Sequence, residues 1–131
     1  MFLESYWNSG SVKAQGRWFD NFVISKKLIG PVKCPANPRI YKTPYYGPGE
    51  IAAWDIEIAS DYDGNDVVYK SHVSSDKENI TVKQNNGNFL GSLEGETMLL
   101  SGKTYFCRVR QKSSNGEWSN WSRWHQGFIV E

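Results

Sequence analysis

The sequence predicts an all-β fold, a β-sandwich carrying an N-terminal β appendage, and three observations lead to it. From residue 33 onward the chain breaks into short apolar runs punctuated by Gly, Pro, Asn and Asp. Tyr105, Cys107 and Val109 alternate with Phe106, Arg108 and Arg110, so the two sets occupy opposite faces of one strand. Trp118, Trp121 and Trp124 then recur every third residue. That period suits neither a pleated strand nor an α-helix, but it matches a polyproline-II-like segment with one face of indoles. Laid beside the preceding strand, such a segment lets Arg108 and Arg110 slide between the rings. Each contact of this kind is worth roughly 0.5–1 kcal/mol when exposed and more when shielded.

Taken in order, residues 17–25 form a strand with large apolar groups on both faces, ended by Lys26-Lys27 and the breaker Gly30-Pro31. A lone hairpin with residues 2–7 would leave that strand uncovered. Residues 34–41 open the sandwich, and Pro35 and Pro38 suit an edge strand. Residues 43–49 are a turn-rich connector. Trp54, Ile56 and Ile58 alternate with Asp55 and Glu57, which marks a half-buried strand with Trp54 as its central core ring. Residues 61–66 form a hairpin tip before Val67-Val68-Tyr69. Residues 79–83 give a further strand, residues 84–88 a polar loop, and residues 97–100 lead into a corner before Tyr105. Residues 127–131 close the last strand.

Composition bounds the function. Aromatics make up 15% of the 131 residues, so burial rests on a few large rings. A formal net charge of +1 gives no electrostatic reason to expect nucleic acid or an anionic membrane. Residues 1–33 carry +3 and leave −2 for the remainder, which supports a boundary at residue 33. No apolar run reaches transmembrane length, and the first residues lack the pattern of a signal peptide. The simplest expectation is a piece of a longer secreted chain.

The Trp118-Ser119-Asn120-Trp121-Ser122 run and the Leu99-Leu100-Ser101-Gly102-Lys103-Thr104-Tyr105 corner together resemble the fibronectin type III family, in its Trp-Ser-x-Trp-Ser variant. The resemblance covers residues 33–131 and implies an immunoglobulin-like sandwich. It also implies a tyrosine corner built on Leu99 and Tyr105, with the Tyr105 hydroxyl bonded to an upstream backbone group. Ser101 stands where that family usually has Pro, and Lys103 where it has Thr. Residues 17–31 resemble the closing strands of concanavalin-like jelly-roll domains in secreted bacterial polysaccharide lyases and glucanases. This implies that residues 1–32 are the tail of an upstream sugar-handling domain.

Candidate chemistry is sparse. His72 and His125 stand apart from any nucleophile motif. Asp55 and Glu57 share a strand face, and their solvated position is the simpler reading than paired catalysis. Asp61, Asp63 and Asp66 invite a calcium reading, but the twelve-residue loop pattern fails at its sixth and twelfth positions, so a hairpin tip is favoured over a weak calcium site. Cys34 and Cys107 are expected as free thiols, with Cys107 buried; a disulfide remains the alternative. No metal or cofactor site is expected.

The reading that follows is a non-catalytic accessory or spacer module of a secreted or cell-surface protein. It is expected to be monomeric and to have other domains of the same polypeptide as partners. The alternatives are a carbohydrate-binding module using Trp124, Tyr45 and Tyr46, with polysaccharide as partner, and a cytokine-receptor-like module that binds protein. Trp118, Trp121, Arg108 and Arg110 are assigned to the structural ladder. Trp124, at its end, is expected to keep a free face.

Overall fold

The computed structural model describes residues 32–124 and 127–131. The chain divides into two units between Gly30 and Pro31, and the fold that follows belongs to the second. The appendage expected at residues 1–32 and the side chain of His125 fall outside the described residues, apart from the backbone of Val32.

Eight strands make up the described fold: β1 (Val32–Cys34), β2 (Arg39–Tyr41), β3 (Ile51–Ala59), β4 (Val67–Val73), β5 (Asn79–Thr81), β6 (Asn88–Phe89), β7 (Thr104–Ser113) and β8 (Phe128–Val130). Only short 3-10 turns interrupt them. Six strands form one mixed sheet in the order β1-β8-β7-β3-β4-β6, and β2 pairs with β5 in a second, two-stranded sheet. The fold is all-β.

The opening segment is two strands where the sequence suggested one. Pro35 and Pro38 lack amide donors, so the ladder breaks between Cys34 and Arg39. β1 pairs in parallel with β8, whereas β2 crosses to pair antiparallel with β5.

The core gathers on one face of β3, β4 and β7. Trp54, Ile56 and Ile58 project from β3 against Tyr69 of β4 and Tyr105 and Val109 of β7, and all are buried. The small sheet adds buried Ile80 and partly buried Ile40 to the same cluster, and Val82, Leu93 and Leu99 complete it. Burying each large apolar side chain contributes roughly 1.5–3 kcal/mol before entropy is counted.

β3 is also covered on its other face. Glu57 is buried, and Asp55 is half-buried. Alternation in the sequence therefore distinguishes two faces correctly, but the second is not a solvated one. Arg108 and Arg110 from β7 and Lys70 and His72 from β4 reach across its carboxylates.

At the corner, the backbone N–H of Leu100 donates to the Tyr105 hydroxyl oxygen at 3.1 Å, and Leu99 is buried beside it. Both cysteines are free. Cys34 pairs with Val130, so β8 stands between it and β7, where Cys107, expected to be buried, is half-buried. Burial pushes the Cys107 thiol up to about 11. Because the folded value lies above the unfolded one of about 8.5, this group favours folding below that value, and the contribution is lost as pH rises toward 11.

Tyr105→Phe removes only the acceptor for the Leu100 N–H. It is expected to cost about 1 kcal/mol, a fall of roughly 4–8 °C in Tm for a domain of this size, readable by calorimetry. In native protein at about pH 8, Cys107 should be only ~0.1% thiolate and resist iodoacetamide until the chain is unfolded; peptide mass spectrometry tests this.

Candidate functional site

Beyond Tyr105, β7 has no β8 partner, because β8 pairs only with Thr104 and Tyr105. Residues 118–124 cover that edge. Ser119 N–H donates to the Gln111 carbonyl at 2.8 Å and Ser122 N–H to the Val109 carbonyl at 2.8 Å. In return, Gln111 N–H donates to Ser119 Oγ at 3.0 Å and Val109 N–H to Ser122 Oγ at 2.9 Å. Three residues of the covering segment therefore match two of the strand. A regular partner strand would supply carbonyls for these N–H groups, but a three-residue repeat does not, and each serine hydroxyl takes the missing carbonyl's place. The sequence reading gave these serines no role. Their spacing, equal to that of the indoles, was the available signal.

The same register sets the rings between the cations. Arg110 Cζ lies 4.3 Å from the Trp118 ring centroid and 4.6 Å from that of Trp121. Arg108 Cζ lies 4.5 Å from Trp121 and 4.6 Å from Trp124. Lys112 Nζ stands over Trp118 at 5.6 Å. The order is Lys112, Trp118, Arg110, Trp121, Arg108, Trp124.

Behind the stack is a row of charge pairs set by strand register. Asp55 sits opposite Arg110 and Glu57 opposite Arg108 across β3 and β7, while His72 and Lys70 face the same two carboxylates from β4. Arg110 contacts Asp55 Oδ2 through Nε and Nη2, each at 2.9 Å, and Arg108 Nε reaches Glu57 Oε2 at 2.8 Å. The second carboxylate oxygens turn the other way: Asp55 Oδ1 meets His72 Nδ1 at 2.6 Å, and Glu57 Oε1 meets Lys70 Nζ at 3.3 Å. A guanidinium can do this because it bonds carboxylate through its edge and stacks through its faces. His72 is therefore not isolated.

Of the other expected contacts, Trp124 closes the stack, while Tyr45 and Tyr46 lie outside it. Trp124 has Arg108 over its ring, and the loop of residues 61–66 comes against it: a Cβ at Gly64 (φ 73°) would lie 2.4 Å from Trp124 Nε1, Cε2 and Cζ2. Only glycine fits there. The more exposed end of the row is Trp118, contrary to the expectation for Trp124. Tyr45 folds back to donate its hydroxyl to the Pro48 carbonyl at 2.8 Å and lines a small cavity of about 140 Å³ with Trp118. Tyr46 is 92% exposed.

In the acidic loop, Asp61 and Asp66 spend their carboxylates on backbone N–H groups and hydroxyls of the protein itself. Asp61 accepts from the N–H groups of Asp66 at 2.8 Å and Asn65 at 3.0 Å, bonds that hold its carboxyl below the usual range. Asp66 accepts from the Ser60 and Ser92 hydroxyls, which lower its carboxyl likewise. Among the described residues, no group of three or more His, Cys, Asp or Glu side chains is arranged to hold a metal ion, and no helix is long and apolar enough to cross a membrane.

Comparison with family models, with curated proteins and with solved structures returns no match.

Along the outward face of β3 and β4, beside Trp121, runs a groove of about 330 Å³. Its wall is Lys70, His72, Asn88 and Arg110 over the two carboxylates.

Removing a sandwiched arginine also leaves a sheltered carboxylate with only its β4 partner, His72 or Lys70. Arg108→Ala and Arg110→Ala are each expected to cost about 2–3 kcal/mol; Lys112→Ala, at the open end of the row, about 0.5 kcal/mol or less. Urea unfolding measures the ranking, and three equal small losses would reject the ladder as a stabilising unit.

Proposed function

We propose that this chain is a non-catalytic accessory or interaction module of a larger secreted or cell-surface protein, working through its surface and its stiffness. In this reading residues 33–131 are a fibronectin type III-like, immunoglobulin-like sandwich, and residues 1–32 are the end of an upstream jelly-roll domain. Other domains of the same polypeptide are its first partners. The observation that carries the reading is that the paired carboxylates of the outward face, Asp55 and Glu57, are held by Arg110, His72, Arg108 and Lys70. A general acid needs a proton to give and a nucleophile an unneutralised charge; both oxygens of each of these two are already engaged by nitrogen partners.

A second reading, carbohydrate binding through exposed aromatics, is favoured by Tyr46 and by the cavity that Tyr45 shares with Trp118. The stacking of Trp121 and Trp124 against guanidinium groups counts against those two as open sugar platforms.

The test is turnover. Incubation with polygalacturonate, alginate, xylan and laminarin should release neither reducing ends nor unsaturated products. Turnover that disappears in Asp55→Asn or Glu57→Gln would replace this reading with an enzymatic one.

A further inference from the structure

The outward face of β3, β4 and β7 separates charge in a way that the net charge conceals. Lys70, Arg108, Arg110 and Lys112 stand there with only Asp55 and Glu57 as formal opposites, giving +2 on a face of a unit whose residues 34–131 total −2. Exposure sharpens the asymmetry. The side chains of Lys70 and His72 are 54% and 56% exposed, against 15% for Asp55 and 10% for Glu57. A molecule entering the groove meets nitrogen donors first.

Those donors are not exhausted. Lys70 makes one ion pair with Glu57, and an ammonium has three hydrogens. Arg110 contacts Asp55 through Nε and Nη2, leaving its Nη1 hydrogens outside these bonds. Asn88 adds an amide donor, and His72, whose Nδ1 faces Asp55, adds a second ring nitrogen that accepts when the ring is neutral. Beneath them the carboxylates retain acceptor lone pairs, since each oxygen can accept more than one bond.

We propose that this groove binds a saccharide bearing uronate groups, its carboxylate lying against Lys70 and Arg110 and its hydroxyls reaching Asn88, Asp55 and Glu57. The inference deepens the reading of the chain as an interaction module and rests on it. The volume of about 330 Å³ falls within the range of ligand clefts. Arg110 is already fixed between two indoles and a carboxylate, so little rotamer entropy remains to be lost when it binds.

Rival ligands fit less well. A neutral sugar needs an open aromatic face, and Arg108 and Arg110 stack on the Trp121 ring that borders the groove. Nucleic acid would lose base stacking for the same reason. Its phosphodiester backbone brings anionic charge but few hydroxyl hydrogens to donate to Asp55 and Glu57. A sugar acid has both the anion and the donors.

The probes are a galacturonate trisaccharide, maltotriose and a short oligothymidylate, followed by amide and indole NMR and by calorimetry at low and moderate salt. Expected is saturable binding of the acidic trisaccharide, with shifts at Lys70, His72, Asn88 and the Trp121 indole, weakening severalfold as salt screens it. Lys70→Gln should weaken binding about fivefold in protein that NMR shows still folded, while Lys103→Gln, outside the face, leaves binding intact. Absence of saturable shifts on this face, equal binding of maltotriose, or tighter binding of the oligonucleotide would overturn the proposal. If the trisaccharide stays intact and unbound, only this inference falls; if it is cleaved, the non-catalytic reading falls instead.

Discussion

The structure depends on what one guanidinium group can do with its edge and its faces at once. Arg108 and Arg110 turn their edges to carboxylates on β3 and their faces to indoles from the segment after β7. Lysine has a point charge and no plane, so it satisfies one demand or the other. Two arginines thereby tie together three pieces of chain: β3, β7 and the Trp118–Trp124 run. The carboxylates hold the guanidinium planes in place, and the rings shield the ion pairs from water.

This arrangement also manages an exposed edge. Among the described residues, the second half of β7 has no partner strand on the side away from β3, and such an edge offers unpaired N–H and C=O groups to any other chain. The two serines and the stacked rings cover it with a segment that is not itself a strand. A three-residue repeat against a two-residue repeat works only because a hydroxyl can accept where a carbonyl is missing. Stiffness and edge protection thus come from the same seven residues.

Much of this was legible in the sequence because it is local. Trp118, Trp121 and Trp124 follow Arg108 and Arg110 across one short loop, and their spacing suggests interleaving. The core of β3 was legible for a similar reason, since Trp54, Ile56 and Ile58 share a strand face. The partners of Asp55 and Glu57 were not. Arg110 lies 55 residues from Asp55 and Arg108 lies 51 from Glu57, so their meeting depends on strand register. Without register, two acidic residues alternating with apolar ones look like a solvated edge. The split of the opening strand, the packing of Gly64 against Trp124 and the position of Cys34 were hidden likewise, each being set by contacts between distant segments.

By itself, then, the sequence determined an all-β chain, the central ring of its core and the raw materials of the stack, because side-chain periodicity follows directly from backbone geometry. Only the tertiary structure decided that the polar face of β3 is covered, that its carboxylates bind arginines, and that a chain of nearly balanced charge gathers a surplus of cations on one side. Charge counts add along a chain without regard to position, whereas an electric field depends on where the strands bring those charges together.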